Sequence, residues 1–129
     1  LYQSGETLYA NRIRAPWWGQ AQWSEGTAIP ALREADLSAA AHADPRVRRD
    51  FARFGWFSNG WVARSPQDTS VIGDMRYSLR TGAFDPVWGV RFHPGAGVPT
   101  EWVERSSDRE SALAELWAEI INAKQWKNR

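Results

Sequence analysis

Apolar residues recur at two different periods along this chain, and the changes of period divide it into elements. Residues 1–14 alternate imperfectly, with Leu8, Tyr9 and Ile13 between polar neighbours, which predicts one or two strands broken near Gly5. Residues 15–30 carry Gly and Pro punctuation and predict an extended chain or loop, with a strand passing through Gln20–Trp23. Glu34 to His42 is alanine-rich and favours helix. Asp44-Pro45 follows, an N-cap residue before a proline at the first helical position. Val47, Phe51 and Phe54 then lie at i, i+4 and i+7, one apolar stripe, with Arg46, Arg48, Arg49 and Asp50 on the wet side. This helix is expected to end near Gly55.

From Trp56 the period becomes two. Trp56–Arg64 predicts a strand, Ser65–Asp68 a turn, and Thr69–Tyr77 the returning strand. Val87–Phe92 predicts another strand, reached through a loop holding Gly82 and Asp85-Pro86. His93 to Thr100 reads as irregular. Ser107 with Glu110 forms a capping box, and Leu113, Leu116, Trp117, Ile120 and Ile121 give the helix after it one apolar face. Grouped strands without a βαβ alternation predict an α+β fold, an antiparallel sheet of about four to five strands with helices packed on one face.

The 56–77 hairpin carries the first candidate chemistry. A turn centred near Gln67 sets Ser58 opposite Arg76, Gly60 opposite Asp74 and Val62 opposite Ile72. Alternation then puts Phe57, Trp61, Ala63, Val71, Gly73, Met75 and Tyr77 on an apolar face turned to the helices. Ser58, Gly60, Arg64, Asp74 and Arg76 fall on an open polar face. Ser58, Asp74 and Arg76 are the catalytic candidates there; a cross-strand ion pair that sets register is the alternative. Gly60 and Gly73, inside strands, imply a bend or a close approach.

Composition narrows the choices. A chain of 129 residues makes one domain, and zero cysteine excludes disulfides, thiolate metal sites and cysteine nucleophiles. A net charge of +1 gives no general case for nucleic acid. Fourteen arginines stand against two lysines; Arg46, Arg48, Arg49 and Arg53 form a basic helix face, either a phosphate site or a solvated surface. His42 and His93 lack metal-ligand spacing, so neither a metal site nor a cofactor is expected within these residues. No nucleophile elbow, phosphate loop or dinucleotide fingerprint is present. No apolar run is long enough to span a bilayer, and a start at Leu1 suggests a piece of a larger protein.

Nine tryptophans are the main oddity. Trp61, Trp88 and Trp117 sit at periodic apolar positions and are expected in the core, and those from Trp102 to Trp126 are grouped with the closing helix. Trp17, Trp18 and Trp23 lie in the irregular segment. With Arg64 they are the binding candidates, suited to stacking sugars, docking a partner or resting at a membrane interface; capping the sheet end is the alternative.

Trp56-Phe57-Ser58-Asn59-Gly60-Trp61, Ser70 to Tyr77, and Trp88-Gly89-Val90-Arg91-Phe92 together resemble three consecutive strands in the C-terminal soluble part of a bacterial family. Its members are described as membrane-bound, metal-dependent hydrolases, or as LexA-binding, inner-membrane-associated hydrolases; that activity is itself a proposal. The specific likeness covers residues 56–92. It implies a soluble, cytoplasmic accessory domain of an inner-membrane protein, with the membrane part of the same chain as its partner and any divalent metal held there. Ser58, Gly60, Asp74 and Arg76 carry over as motif positions, not as established catalytic residues. Two other functions stay open: a tryptophan-rich module for glycan, lipid headgroup or a protein partner, and a stand-alone enzyme using Ser58, Asp74 and Arg76.

Overall fold

The computed structural model describes residues 1–11, 13–23, 26–78, 83–104 and 127–128. Strands run over Tyr2–Ser4 (β1), Thr7–Ala10 (β2), Ile13–Arg14 (β3), Gln22–Trp23 (β4) and Thr27–Pro30 (β5). Helices Ala39–Ala43 (α1) and Pro45–Phe57 (α2) follow, then strands Val62–Arg64 (β6), Val71–Asp74 (β7), Trp88–Phe92 (β8), Thr100–Glu104 (β9) and Lys127–Asn128 (β10). Glu34–Asp36 and Met75–Tyr77 are single 3-10 turns. The class is α+β, as the pattern predicts. The helix expected after Ser107 lies outside the described residues.

Local chemistry sets the helix boundaries. The expected helix from Glu34 to His42 is broken at Leu37 and Ser38, because Ser38 adopts an extended backbone and its hydroxyl accepts the Ala41 N–H at 3.2 Å. Asp44 caps α2, accepting the Arg46 N–H at 2.9 Å, with Pro45 at the first position. Its carboxylate also accepts the Gly95 N–H at 3.0 Å, tying the loop after β8 to the helix start. The Arg46 side chain and these backbone donors hold the Asp44 carboxyl well below the usual carboxylate range.

α2 runs past Gly55 and ends at Phe57, so the first part of the expected strand Trp56–Arg64 is helix. The stop comes from Asn59 and Gly60, which take φ of 52° and 77°. Gly60 N–H bonds to the Gly55 carbonyl at 2.8 Å and Asn59 N–H to the Trp56 carbonyl at 3.1 Å, the paired bonds of a Schellman motif. Gly60 is therefore a helix terminator rather than a strand bend.

β6, β7, β8 and β9 form one antiparallel sheet in that order. The β6–β7 register pairs Val62 with Asp74 and Arg64 with Ile72, two residues from the expected pairing. An even slip keeps the same residues on each face. The face holding Val62, Ile72, Val90 and Phe92 packs on Leu37, Ala41, Val47, Phe51 and Phe54. This is the face expected to be open, so Asp74 lies beneath the helix layer rather than in water. The opposite face is also covered: Ala63 and Met75 cluster with Leu8 and Phe84, flanked by Ile29, Ala31 and Trp61. Leu8 and Ile29 come from a second sheet, β1-β2-β5. A short third sheet joins β10, β4 and β3.

The central strands approach their neighbours too closely for a side chain at two glycines. A Cβ on Gly89 would lie 2.2 Å from the Ile72 carbonyl oxygen, and one on Gly73 would lie 2.2 Å from the Pro86 ring. The close approach expected at Gly73 is thus the 83–86 loop crossing the sheet. Gly55, inside α2, has nothing within 4 Å of an added Cβ. Gly89→Ala should destabilise by about 1–3 kcal/mol and Gly55→Ala should stabilise by about 0.5–1 kcal/mol, both read from urea unfolding. Equal effects at the two positions would contradict this packing.

Candidate functional site

β7 delivers Asp74 to the end of the sheet, where its side chain is fully buried. An isolated carboxylate there would be strongly disfavoured, so its hydrogen bonds determine what it can do. Its Oδ1 accepts the Arg76 backbone N–H at 3.0 Å, capping the Met75–Tyr77 turn. The Arg76 guanidinium meets the same carboxylate through Nε at 3.0 Å and Nη2 at 2.6 Å. Trp88 Nε1 donates to Oδ2 at 3.3 Å.

Arg76 reaches further. Its Nη2 donates to the Phe57 carbonyl at 2.8 Å, one of the carbonyls that the end of α2 leaves without an intrahelical partner. Its guanidinium lies 5.2 Å from the Tyr77 ring centroid and 5.8 Å from that of Phe57. The hydrogen bond to Asp74 raises the Arg76 pKa above its ordinary value. One side chain thus fastens the end of α2 to the sheet through a buried anion.

Ser58 is buried as well, and its Oγ–H donates to the Phe54 carbonyl at 2.7 Å. It closes the last turn of the helix instead of facing Arg76 across a hairpin. Of the three catalytic candidates, Asp74 and Arg76 are directly joined, and Ser58 belongs to the helix end that Arg76 holds. The expected Ser58–Arg76 and Gly60–Asp74 pairings do not occur, because α2 and its C-terminal cap take the residues up to Gly60 that would have extended β6.

Beside this clamp lies an aromatic group that the sequence pattern did not assemble. Phe57 packs against Trp88 and Trp102 with centroids 6.5 and 6.2 Å apart, and Tyr77 lies 4.8 Å from Trp88. Phe57, Tyr77 and Trp102 are each about half exposed. Trp102 sits on β9, a strand the sequence left unassigned, rather than closing the core on a helix. The strand-favouring Thr100, Trp102 and Val103 were the available signal, obscured by the Gly- and Pro-rich stretch before them.

The binding candidates separate. Trp17 and Trp18 are 94% and 87% exposed, with ring centroids 6.4 Å apart and planes tilted by 39°. Trp23 is half-buried on β4, where the register sets it between Ile13 and Lys127. It lines a groove of about 460 Å³ with Leu1, Tyr2, Asn11, Ile13 and Ala21. Arg64 belongs elsewhere, donating to the Asp36 carbonyl and lining a cleft of about 440 Å³ with Glu6 and Arg33.

The arginines of α2 pair with nearby carboxylates. Arg46, Arg49 and Arg53 pair with Asp44 or Asp50, and Arg48 lies 3.8 Å from Glu34, which favours a solvated helix face. His93 Nε2 lies 3.1 Å from Glu101, and this bond, with Arg91 nearby, holds the Glu101 carboxyl below its ordinary pKa. Among the described residues no three His, Asp or Glu side chains converge as a metal-ligand group.

Asp74→Ala leaves Arg76 and Trp88 without their shared acceptor. It should cost roughly 3 kcal/mol, the low end for breaking a buried ion pair because Arg76 is partly exposed. Ser58→Ala should cost about 1 kcal/mol. Urea titrations that show no loss for Asp74→Ala would remove the clamp as a stabilising feature. Compared with known proteins, the chain matches no family model, no curated protein and no solved structure.

Proposed function

We propose that this chain is an accessory domain of a larger membrane-bound protein, resembling the C-terminal part of the bacterial family described as metal-dependent hydrolases. It regulates, orients or extends the substrate pocket of the membrane part, or binds a partner, and does not carry a reaction centre. One observation supports this most. The motif residues that carry the resemblance, Ser58, Gly60, Asp74 and Arg76, are spent on a single structural junction. Asp74 and Ser58 have no exposed surface, and their polar atoms are engaged by the fold. A catalytic group has to touch its substrate, and these two are closed off from it. Any metal chemistry of the parent protein is then supplied by residues outside this chain.

Calorimetric titration of the 129-residue chain with zinc, manganese and nickel should give no stoichiometric heat of binding. Stoichiometric binding at micromolar or tighter affinity would contradict a domain that leaves the metal to the membrane part.

A further inference from the structure

We propose that the Trp17–Trp18 tip and the basic strands behind it form a membrane-interface site that takes an anionic phospholipid surface. The inference stands on the tip's own geometry and does not need the family resemblance. Two adjacent indoles at 94% and 87% exposure forgo nearly all the burial that a tryptophan normally gains. Ile13 is 72% exposed beside them in sequence, and Leu1 and Tyr2 are more than half exposed along the neighbouring groove. These residues leave a continuous run of exposed apolar side chains along this end of the chain.

The form of this run distinguishes among occupants. A sugar platform needs rings that offer a common stacking plane and side chains that bond hydroxyl groups. The two indoles are tilted by 39°, so they offer no common stacking plane. A fluid interface imposes no fixed shape, so splayed indoles can both enter it at headgroup depth. Charge supplies the second argument. No acidic residue occurs between Glu6 and Glu25, while Arg12 and Arg14 both do. Arg14 is exposed on β3, and the sheet register brings Lys127 opposite Trp23 on the adjoining strand. A segment with two arginines, exposed tryptophans and no acidic residue from 7 to 24 complements an anionic headgroup layer.

The test uses the full 129-residue chain with vesicles of phosphatidylcholine alone or mixed with phosphatidylglycerol. The expected result is co-sedimentation with the mixed vesicles and a blue shift of tryptophan emission, both weaker on neutral vesicles. Trp17→Ala/Trp18→Ala should lower the partition coefficient by about tenfold or more, with an unchanged urea midpoint because the tip is exposed. Arg14→Glu should weaken binding to the mixed vesicles only, and Trp102→Ala should leave it intact. Absence of vesicle binding, or binding that survives the double substitution, overturns the proposal. So does quenching of the Trp17 and Trp18 emission by soluble oligosaccharides without vesicle binding, which would assign the tip to glycans. Metal titration reads a different property, so either proposal can fail without the other.

Discussion

A carboxylate shut away from water has to be neutralised and fully hydrogen-bonded, and around Asp74 this requirement organises the surrounding fold. Arg76 supplies the countercharge, the turn after β7 supplies a backbone donor, and Trp88 on the next strand supplies an indole N–H. Because Arg76 also holds the Phe57 carbonyl, the same bonds fix where α2 ends against the sheet. The helix end is closed from its own side by Ser58 and by Asn59 and Gly60 in the left-handed region. Apolar packing of Val47, Phe51 and Phe54 on Val62, Ile72, Val90 and Phe92 supplies the bulk of the adhesion. That packing is non-directional, and the polar junction at the helix end gives it a defined position.

The junction also explains the surface beside it. Ending α2 at Phe57 brings that ring among Trp88 and Trp102, and Arg76 spreads over Phe57 and Tyr77. The half-exposed aromatic group is thus partly the outer skin of the clamp. Trp17 and Trp18 are different, since neither ring has comparable cover from the body of the domain. Aromatic density alone did not separate Trp17 and Trp18 from the rings around the clamp; exposure does, and Trp56 on α2 is the other tryptophan exposed to the same degree among the described residues.

Much of the architecture was legible in the residues. The α+β class, the start of α2 at Asp44-Pro45, its apolar stripe and the turn after Arg64 all follow from local rules that operate within a few residues. The failures lie where two rules competed. Trp56 to Trp61 alternates like a strand, yet Asn59-Gly60 is also a helix stop, and the preceding stripe carried the helix as far as that stop. Within Val62–Arg64 and Val71–Asp74 the hairpin faces were partitioned correctly and assigned to the wrong sides, while residues 57–61 and 75–77 lie outside both strands. Asp74 and Arg76 look like solvent-facing residues when considered singly; their mutual ion pair, with Trp88 donating to Asp74 and Phe57 accepting from Arg76, is what makes burial of the carboxylate tolerable. The links to Phe57 and Trp88 join residues separated in sequence, so no local pattern announces them. For the candidate site, Ser58, Asp74 and Arg76 stood out as polar residues in an apolar hairpin, whereas their structural employment did not.

Amide hydrogen exchange across α2 in the parent chain and in Arg76→Lys tests the central claim most directly. Lysine keeps the charge beside Asp74 but lacks the planar fork that reaches the carboxylate and the Phe57 carbonyl together. If Arg76 positions the helix end, the amides of Ser58, Asn59 and Gly60 lose protection in the variant well beyond any change at Phe51 and Phe54. Protection that stays unchanged at residues 58–60, or that falls equally along the whole helix, would contradict the assignment of the clamp as the junction on which this fold depends.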